Sequence, residues 1–93
     1  MRYLAISLLA LSLSCGPTQD EIRAEIRSAN TCTTASDCSN VGTYCPYGCN
    51  ILVNKSQAER IRQLLESNHE NNCAFDCIPL QSIACENQIC VVK

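Results

Sequence analysis

Eight cysteines lie between Cys32 and Cys90, and their density constrains the fold of this chain more than any other feature. The chain has 93 residues, no Trp and one Phe, so the large side chains that usually fill a core are nearly absent. Small domains bury little apolar surface and need additional constraints. So many cysteines in a short chain are typical of a secreted disulfide scaffold. We therefore expect covalent cross-links to hold the domain together and reduction to unfold it.

The pairing of these cysteines is left open by the sequence. Eight cysteines permit on the order of a hundred pairings, and their order along the chain does not select one. The residues expected to form disulfides are Cys32, Cys38, Cys45, Cys49, Cys73, Cys77, Cys85 and Cys90.

Residues 1–14 have the organisation of a signal peptide. Met1-Arg2 supplies a positive start, an apolar or small run extends from Tyr3 to Leu13, and Ser14 is a small residue before the expected cleavage site. The apolar run is too short to span a bilayer, which needs about 20 residues. We expect an exported protein whose mature chain begins near residue 15.

Leu11-Ser12-Leu13-Ser14-Cys15 resembles the lipobox of bacterial lipoproteins, although Ser12 occupies the position of the usual Leu. The resemblance implies that Cys15 is acylated and becomes the first mature residue, which leaves an even number of cysteines. The acyl chains would then hold the protein on a membrane. Gly16 stands where an Asp implies inner-membrane retention in enteric lipoproteins, so the resemblance implies the outer membrane.

Ordinary signal-peptidase cleavage after Ser14 or Gly16 is the alternative. Cleavage after Ser14 would give a freely secreted protein with Cys15 as an unpaired thiol, which is a liability in an oxidising compartment.

Residues 15–31 are expected to form a tether and a short helix over 19–29. Thr18 and Glu21 have the spacing of a capping box, and Asn30 would end the helix. Ile22, Ile26 and Ala29 form one apolar stripe, which would pack on the cysteine domain or bind a partner.

Residues 32–93 are expected to form the disulfide domain. Residues 31–50 are typical of a loop with short extended pieces, and a strand is predicted over 49–53. Ser56 and Glu59 predict a second capping box, which begins a helix through Ser67 with Ala58, Ile61, Leu64 and Leu65 on its apolar face.

The sequence of residues 82–92 predicts a hairpin. A two-residue turn at Asn87-Gln88 would place Cys85 opposite Cys90, and a three-residue turn is also open because Gln is a poor second turn residue. Ile83, Ile89 and Val91 are candidates for its apolar face. The predicted fold class is small disulfide-rich α+β, with a short antiparallel sheet that combines the strand over 49–53 with the C-terminal hairpin, one covering helix and an N-terminal helix.

The spacing of the cysteines over residues 32–92 resembles that of small exported bacterial proteins with an eight-cysteine cluster. The motifs that carry the resemblance are Ser36-Asp37-Cys38, Cys45-Pro46-Tyr47-Gly48-Cys49, Val53-Asn54 before a helix, Cys73 with Cys77, and the Cys85 to Val91 hairpin. This group has no established activity, so the resemblance implies an architecture and an exported location but no mechanism.

No motif for catalysis, metal or cofactor binding emerges from the sequence. Cys45 and Cys49 are separated by three residues, unlike the C-x2-C of redox enzymes, and Cys73 and Cys77 share that spacing. His69 is the only histidine and is expected at a helix end, solvated or favouring the helix dipole. Removal of residues 1–14 takes away Arg2 and leaves six basic and nine acidic residues, a net charge of −3, which argues against nucleic-acid binding.

The function expected from the sequence is that of a non-enzymatic cell-envelope lipoprotein, whose stapled domain has a structural or interaction role with an unidentified envelope or extracellular protein. The alternative is a secreted protease inhibitor or toxin-like peptide. Tyr44, Pro46 and Tyr47 are the candidate interaction loop, since two tyrosines beside a proline and a cysteine form a rigid amphipathic patch. The same tyrosines could instead cover the disulfide core.

Overall fold

The computed structural model describes residues 16–93. The predicted signal peptide and the predicted lipidation site, Cys15, lie outside the described residues. The regular elements are α1 (Gln19–Ala29), β1 (Cys38–Tyr44), β2 (Gly48–Asn54), α2 (Ala58–Asn68), β3 (Ile83–Glu86) and β4 (Ile89–Val92). Neither helix has the length and apolar content that crossing a membrane requires.

The β1–β2 hairpin is the middle layer of the domain. Ile51, Leu52 and Val53 in β2 are all buried, although successive side chains on a strand point to opposite faces. Ile51 and Val53 join the core formed with the two helices, whereas Leu52 packs with Cys32 and Cys90. The helices therefore cover one face of this hairpin, and the β3–β4 hairpin packs on the other.

The predicted fold class, small disulfide-rich α+β, is confirmed, but the strands form two separate antiparallel sheets of two strands each. We expected the strand over 49–53 to share one sheet with the C-terminal hairpin. The backbone N–H and C=O of Cys90, which a third strand would use, instead bond to the side chain of Asn30. The edge of β4 is thereby occupied.

The first helix has the predicted bounds and the predicted cap. Thr18 Oγ1 accepts a hydrogen bond from the Glu21 N–H at 3.1 Å, and Glu21 Oε1 accepts one from the Thr18 N–H at 2.9 Å. Ile22 and Ala29 are almost completely buried in the core. The apolar stripe of α1 therefore packs on its own domain. Burying a side chain such as Ile22 contributes about 1.5–3 kcal/mol.

Within residues 31–50, predicted as a loop with short extended pieces, residues 38–44 form the seven-residue strand β1. This strand lacks a regular alternation because its register with β2 shifts on both sides of Gly42. Gly42 has φ 117°, and a Cβ there would lie 3.3 Å from Tyr44 Cε2. Glycine is therefore required at this bend, since other residues rarely adopt this conformation.

The second helix ends one residue beyond the prediction, and its predicted face is buried through Ile61 and Leu65. The predicted capping box of Ser56 and Glu59 is wrong. Asn54 Oδ1 accepts hydrogen bonds from both the N–H and the hydroxyl of Ser56, and a short 3-10 turn over Lys55–Gln57 precedes the helix. The Ser56 hydroxyl is therefore bonded to Asn54 and does not cap α2.

The C-terminal hairpin has the predicted register, with Cys85 opposite Cys90. Its turn has two residues, Asn87 and Gln88, whose φ values of 53° and 64° are those of the turn type that matches strand twist. Ile89 was expected on the apolar face but is 51% exposed, because β4 turns it away from the core side that carries Cys90. The other two positions predicted for that face are half-buried.

Candidate interaction surface

Every cysteine of the described residues is in a disulfide. The pairs are Cys32–Cys85, Cys38–Cys90, Cys45–Cys73 and Cys49–Cys77. The first two tie the segment around β1 to the β3–β4 hairpin. The other two tie the residue after β1 and the second residue of β2 to the segment that follows α2. All eight residues predicted to be cross-linked are thus accounted for.

Two neighbouring disulfides produce one cluster of sulfur atoms. The Sγ atoms of Cys32, Cys38 and Cys90 lie within 4.8 Å of one another. A metal ion binds the thiolate form of cysteine, and a disulfide sulfur carries no such charge. While these cross-links are intact, the cluster therefore offers no thiolate ligand.

Tyr44, the first residue of the predicted interaction loop, lies at the end of β1 and packs against the main core. Its hydroxyl donates to Glu66 Oε2 at 3.3 Å, and its ring meets that of His69 edge to face, with centroids 5.7 Å apart. The pKa of Tyr44 is raised, first by desolvation and then by the charge of Glu66. His69 directly follows α2, at the helix end where it was predicted.

Tyr47 and Pro46 are held by the first helix. The Arg23 guanidinium lies 5.3 Å from the centroid of the Tyr47 ring, and an Arg23 N–H donates to the Pro46 carbonyl oxygen at 3.3 Å. Tyr47 is half-buried against the same core as Tyr44. Both tyrosines therefore cover the core, and a recognition role for this loop stays a prediction.

The most exposed apolar segment is a different one, which the sequence did not single out. Residues 73–82 belong to neither helix nor strand, and the chain runs through them without a hydrogen-bonded turn or a sharp bend. Phe75 is 42% exposed and Ile78 is 79% exposed. Among the described residues, no backbone-to-backbone hydrogen bond involves residues 71–81. Apolar residues beside cysteines are typical of a core, so the pattern gave no sign of this exposure.

Asn50 supports this segment from the central hairpin. It has φ 48°, and its N–H donates to Thr43 Oγ1 at 3.1 Å. Its side chain accepts a hydrogen bond from Asn40 at 3.1 Å and donates to the Ile78 carbonyl oxygen at 3.4 Å. Thr43 Oγ1 also lies 3.7 Å from Cys77 Sγ. A polar network of β1 and β2 thus positions the chain at residues 77 and 78.

A groove of about 660 Å³ runs between the two helices. Its lining includes Pro17, Ala24 and Leu64, and the ion pair between Glu25 and Arg60, at 2.7 Å, joins its two sides. Pro17, one of its lining residues, directly follows Gly16, where the described residues start.

Comparisons with known proteins give no relative for this chain: no family model, curated protein or solved structure matches it.

Proposed function

We propose that this protein is a lipoprotein of the bacterial cell envelope, anchored through acylated Cys15 in the outer membrane, and that its disulfide domain is a non-enzymatic interaction module. Four disulfides are typical of a protein exported to an oxidising compartment. The observation that carries the proposal is that the pairing of these cysteines is complete. The eight cysteines of the described residues pair with one another, so none of them remains for Cys15, and acylation would consume the ninth sulfur.

The start of α1 supports a short tether. Thr18 caps the helix, so only Gly16 and Pro17 separate Cys15 from the cap. Three residue steps span at most about 10 Å. Two or three acyl chains on Cys15 would hold the domain firmly and close to the membrane surface.

The contacts of the described residues support a structural or binding role. The two groups with shifted pKa values, Asp37 and Tyr44, owe the shifts chiefly to backbone hydrogen bonds and to burial, respectively. The carboxylate of Asp37 closes a short turn, and Tyr44 covers the core. Both shifts follow from local structure and call for no reaction.

The intact mass of the mature protein tests the anchor. The protein is isolated from its native host without reductant and its free thiols are alkylated. We expect a chain that begins at Cys15, carries acyl mass and takes up no alkyl group. Cys15→Ser should leave the membrane fraction, whereas the control Ser12→Leu, which completes the lipobox, should fractionate like the native chain. A Cys15→Ser variant that stays with the membrane would overturn the proposal.

The second candidate function is a secreted protease inhibitor or toxin-like peptide, and the exposed segment 73–82 is the observation that favours it. An unlipidated chain with one alkylated thiol in the same experiment would favour this function over the anchored one.

A further inference from the structure

We propose that residues 73–80 form a recognition loop that docks in the substrate cleft of an endopeptidase, with Phe75 as the side chain that enters its specificity pocket. This inference deepens the protease-inhibitor function given above as the second candidate, on which it rests, by naming the enzyme class and the contact residue, and it applies to an anchored and to a secreted domain alike. The complex is non-covalent.

The recognition loop has no regular secondary structure, and most of its backbone groups are free to pair with a partner. Residues 73–82 run without a turn or sharp bend, and the backbone groups of 71–81 make no backbone-to-backbone hydrogen bond within the described residues. Extended peptides bind by adding their main-chain hydrogen bonds to a partner and placing alternate side chains in its pockets. The loop therefore presents backbone groups that have no backbone partner among the described residues of its own domain, and only the Ile78 carbonyl is engaged by a side chain.

Two disulfides hold the loop at both sides of Phe75. Cys73 is bonded to Cys45 and Cys77 to Cys49, so the arch of residues 74–76 is fastened to the turn after β1 and to the start of β2. A flexible segment loses conformational entropy when it binds, and a segment already fixed in its bound form loses less. The cross-links thus order the arch when the domain folds, so that little further conformational entropy is lost when the arch binds.

The hydrogen bond from Asn50 to the Ile78 carbonyl oxygen adds a third support, directly after the second cross-link. Because Asn50 is itself held by Asn40 and Thr43, the support belongs to the central hairpin and not to the loop. A site held by a rigid scaffold keeps its side chains in one geometry.

Phe75 is the better choice of the two exposed apolar side chains. It lies at the centre of the fastened arch, and an aromatic ring at the centre of an interface is the usual source of binding energy. Ile78 is more exposed, but Pro79 follows it and has no N–H to donate to a cleft. The carbonyl of Ile78 is also already engaged by Asn50.

The sequence on both sides of the loop is acidic, which favours a protein partner with a positive rim. No Lys or Arg occurs from residue 63 to residue 92, whereas Glu66, Glu70 and Asp76 lie in that stretch, as does Glu86, which pairs with Lys93. Two copies that met through this surface would bring like charges together, and an anionic membrane surface would repel it. The absence of basic side chains also excludes a trypsin-like pocket as the partner of this stretch.

The test uses the oxidised mature chain with Cys15→Ser, assayed against a chymotrypsin-like endopeptidase with aromatic preference and against a trypsin-like one. We expect competitive inhibition of the first enzyme at micromolar concentration, at least roughly tenfold stronger than of the second. Phe75→Ala should weaken inhibition by about tenfold or more. The matched control, Ile89→Ala, removes an apolar side chain of similar exposure, 51% against 42% for Phe75, from the C-terminal hairpin and should leave the inhibition constant within about twofold.

A gain of function completes the test. Phe75→Arg should transfer inhibition to the trypsin-like enzyme, because that pocket selects a basic side chain. Circular dichroism and the mass of the unreduced chain confirm that each variant keeps its fold and four disulfides. No inhibition of the aromatic-specific enzyme at about 100 μM, inhibition unchanged by Phe75→Ala, or cleavage of the loop without inhibition would each overturn the inference. None of these results bears on the lipid anchor, which the mass and fractionation of Cys15→Ser test separately.

Discussion

The side-chain amide of Asn30 bonds to both backbone groups of Cys90. Its Nδ2 donates to the Cys90 carbonyl oxygen at 3.2 Å, and its Oδ1 accepts from the Cys90 N–H at 2.6 Å. Asn30 also ends α1, so one side chain joins the first helix to β4 across 60 positions of sequence. The amide pairs with the strand as a neighbouring strand would.

Asn30→Ala should lower the free energy of unfolding by about 1–3 kcal/mol, because it leaves the buried backbone of Cys90 without a partner. Urea denaturation followed by far-UV circular dichroism measures the change. Asn72→Ala, an exposed asparagine with no hydrogen bond among the described residues, is the control and should stay within about 0.5 kcal/mol. Equal effects of the two substitutions would contradict the structural role of Asn30.

Removal of different disulfides should lower the free energy of unfolding by different amounts and expose different parts of the domain to hydrogen exchange. Replacing Cys38 and Cys90 by Ala opens a loop of 52 positions and removes a buried side chain, so we expect a loss of about 4 kcal/mol. Replacing Cys49 and Cys77 opens a loop of 28 positions near the surface and should cost less. Hydrogen exchange should show the β3–β4 hairpin unprotected in the first variant and protected in the second. Loss of protection throughout the domain in the second variant would contradict this division.

Gln88→Gly should stabilise the domain by about 0.5–1 kcal/mol. Gln88 has φ 64°, a conformation that glycine adopts without the steric cost of a Cβ. Its carbonyl accepts a hydrogen bond from the Cys32 N–H, which the substitution retains. The thermal midpoint should rise. Gln81→Gly, at an exposed position without positive φ, is the control and should give no increase.

The stability of the domain should depend on Asp37 at acid pH. Its carboxylate accepts hydrogen bonds from the N–H groups of Thr33 and Thr34, which hold its pKa below the usual range of an aspartate. A pKa lowered on folding gives stability that is present at neutral pH and is lost as the pH falls through the folded value, below about 4. Asp37→Asn should therefore lose less stability between pH 7 and pH 3 than the native chain, as measured by the urea midpoint. Parallel losses would contradict the assignment.

Local signals predicted part of this fold, and contacts between distant residues determined the rest. The Thr18 cap and the turn at Asn87 depend on a few neighbouring residues, so both could be found from the sequence. The cap of α2 was missed because the Asn54 side chain engages Ser56 first. The irregular strand around Gly42 has no alternation to detect.

The candidate surface was predicted less well than the fold. Tyr44 and Tyr47 are of a residue type common in binding patches, yet both rings pack against the core and the Tyr47 ring also contacts Arg23. Phenylalanine is a residue type usually found in a core, yet the disulfide between Cys73 and Cys45 holds Phe75 at the surface. Cysteine pairing depends on the whole fold, so exposure in this segment could not be derived from local sequence.

The first helix contains no cysteine, and the cross-linked part of the chain begins at Cys32. Tension between a membrane-held Cys15 and a captured loop at Cys73 would meet only non-covalent resistance along residues 16–31. These sixteen residues can be drawn out to at most roughly 55 Å. Beyond Cys32 the load passes through β1 and the Cys45–Cys73 bond, which limits further extension. Such a domain would combine an extensible tether, residues 16–31, with a body whose extension the disulfides limit.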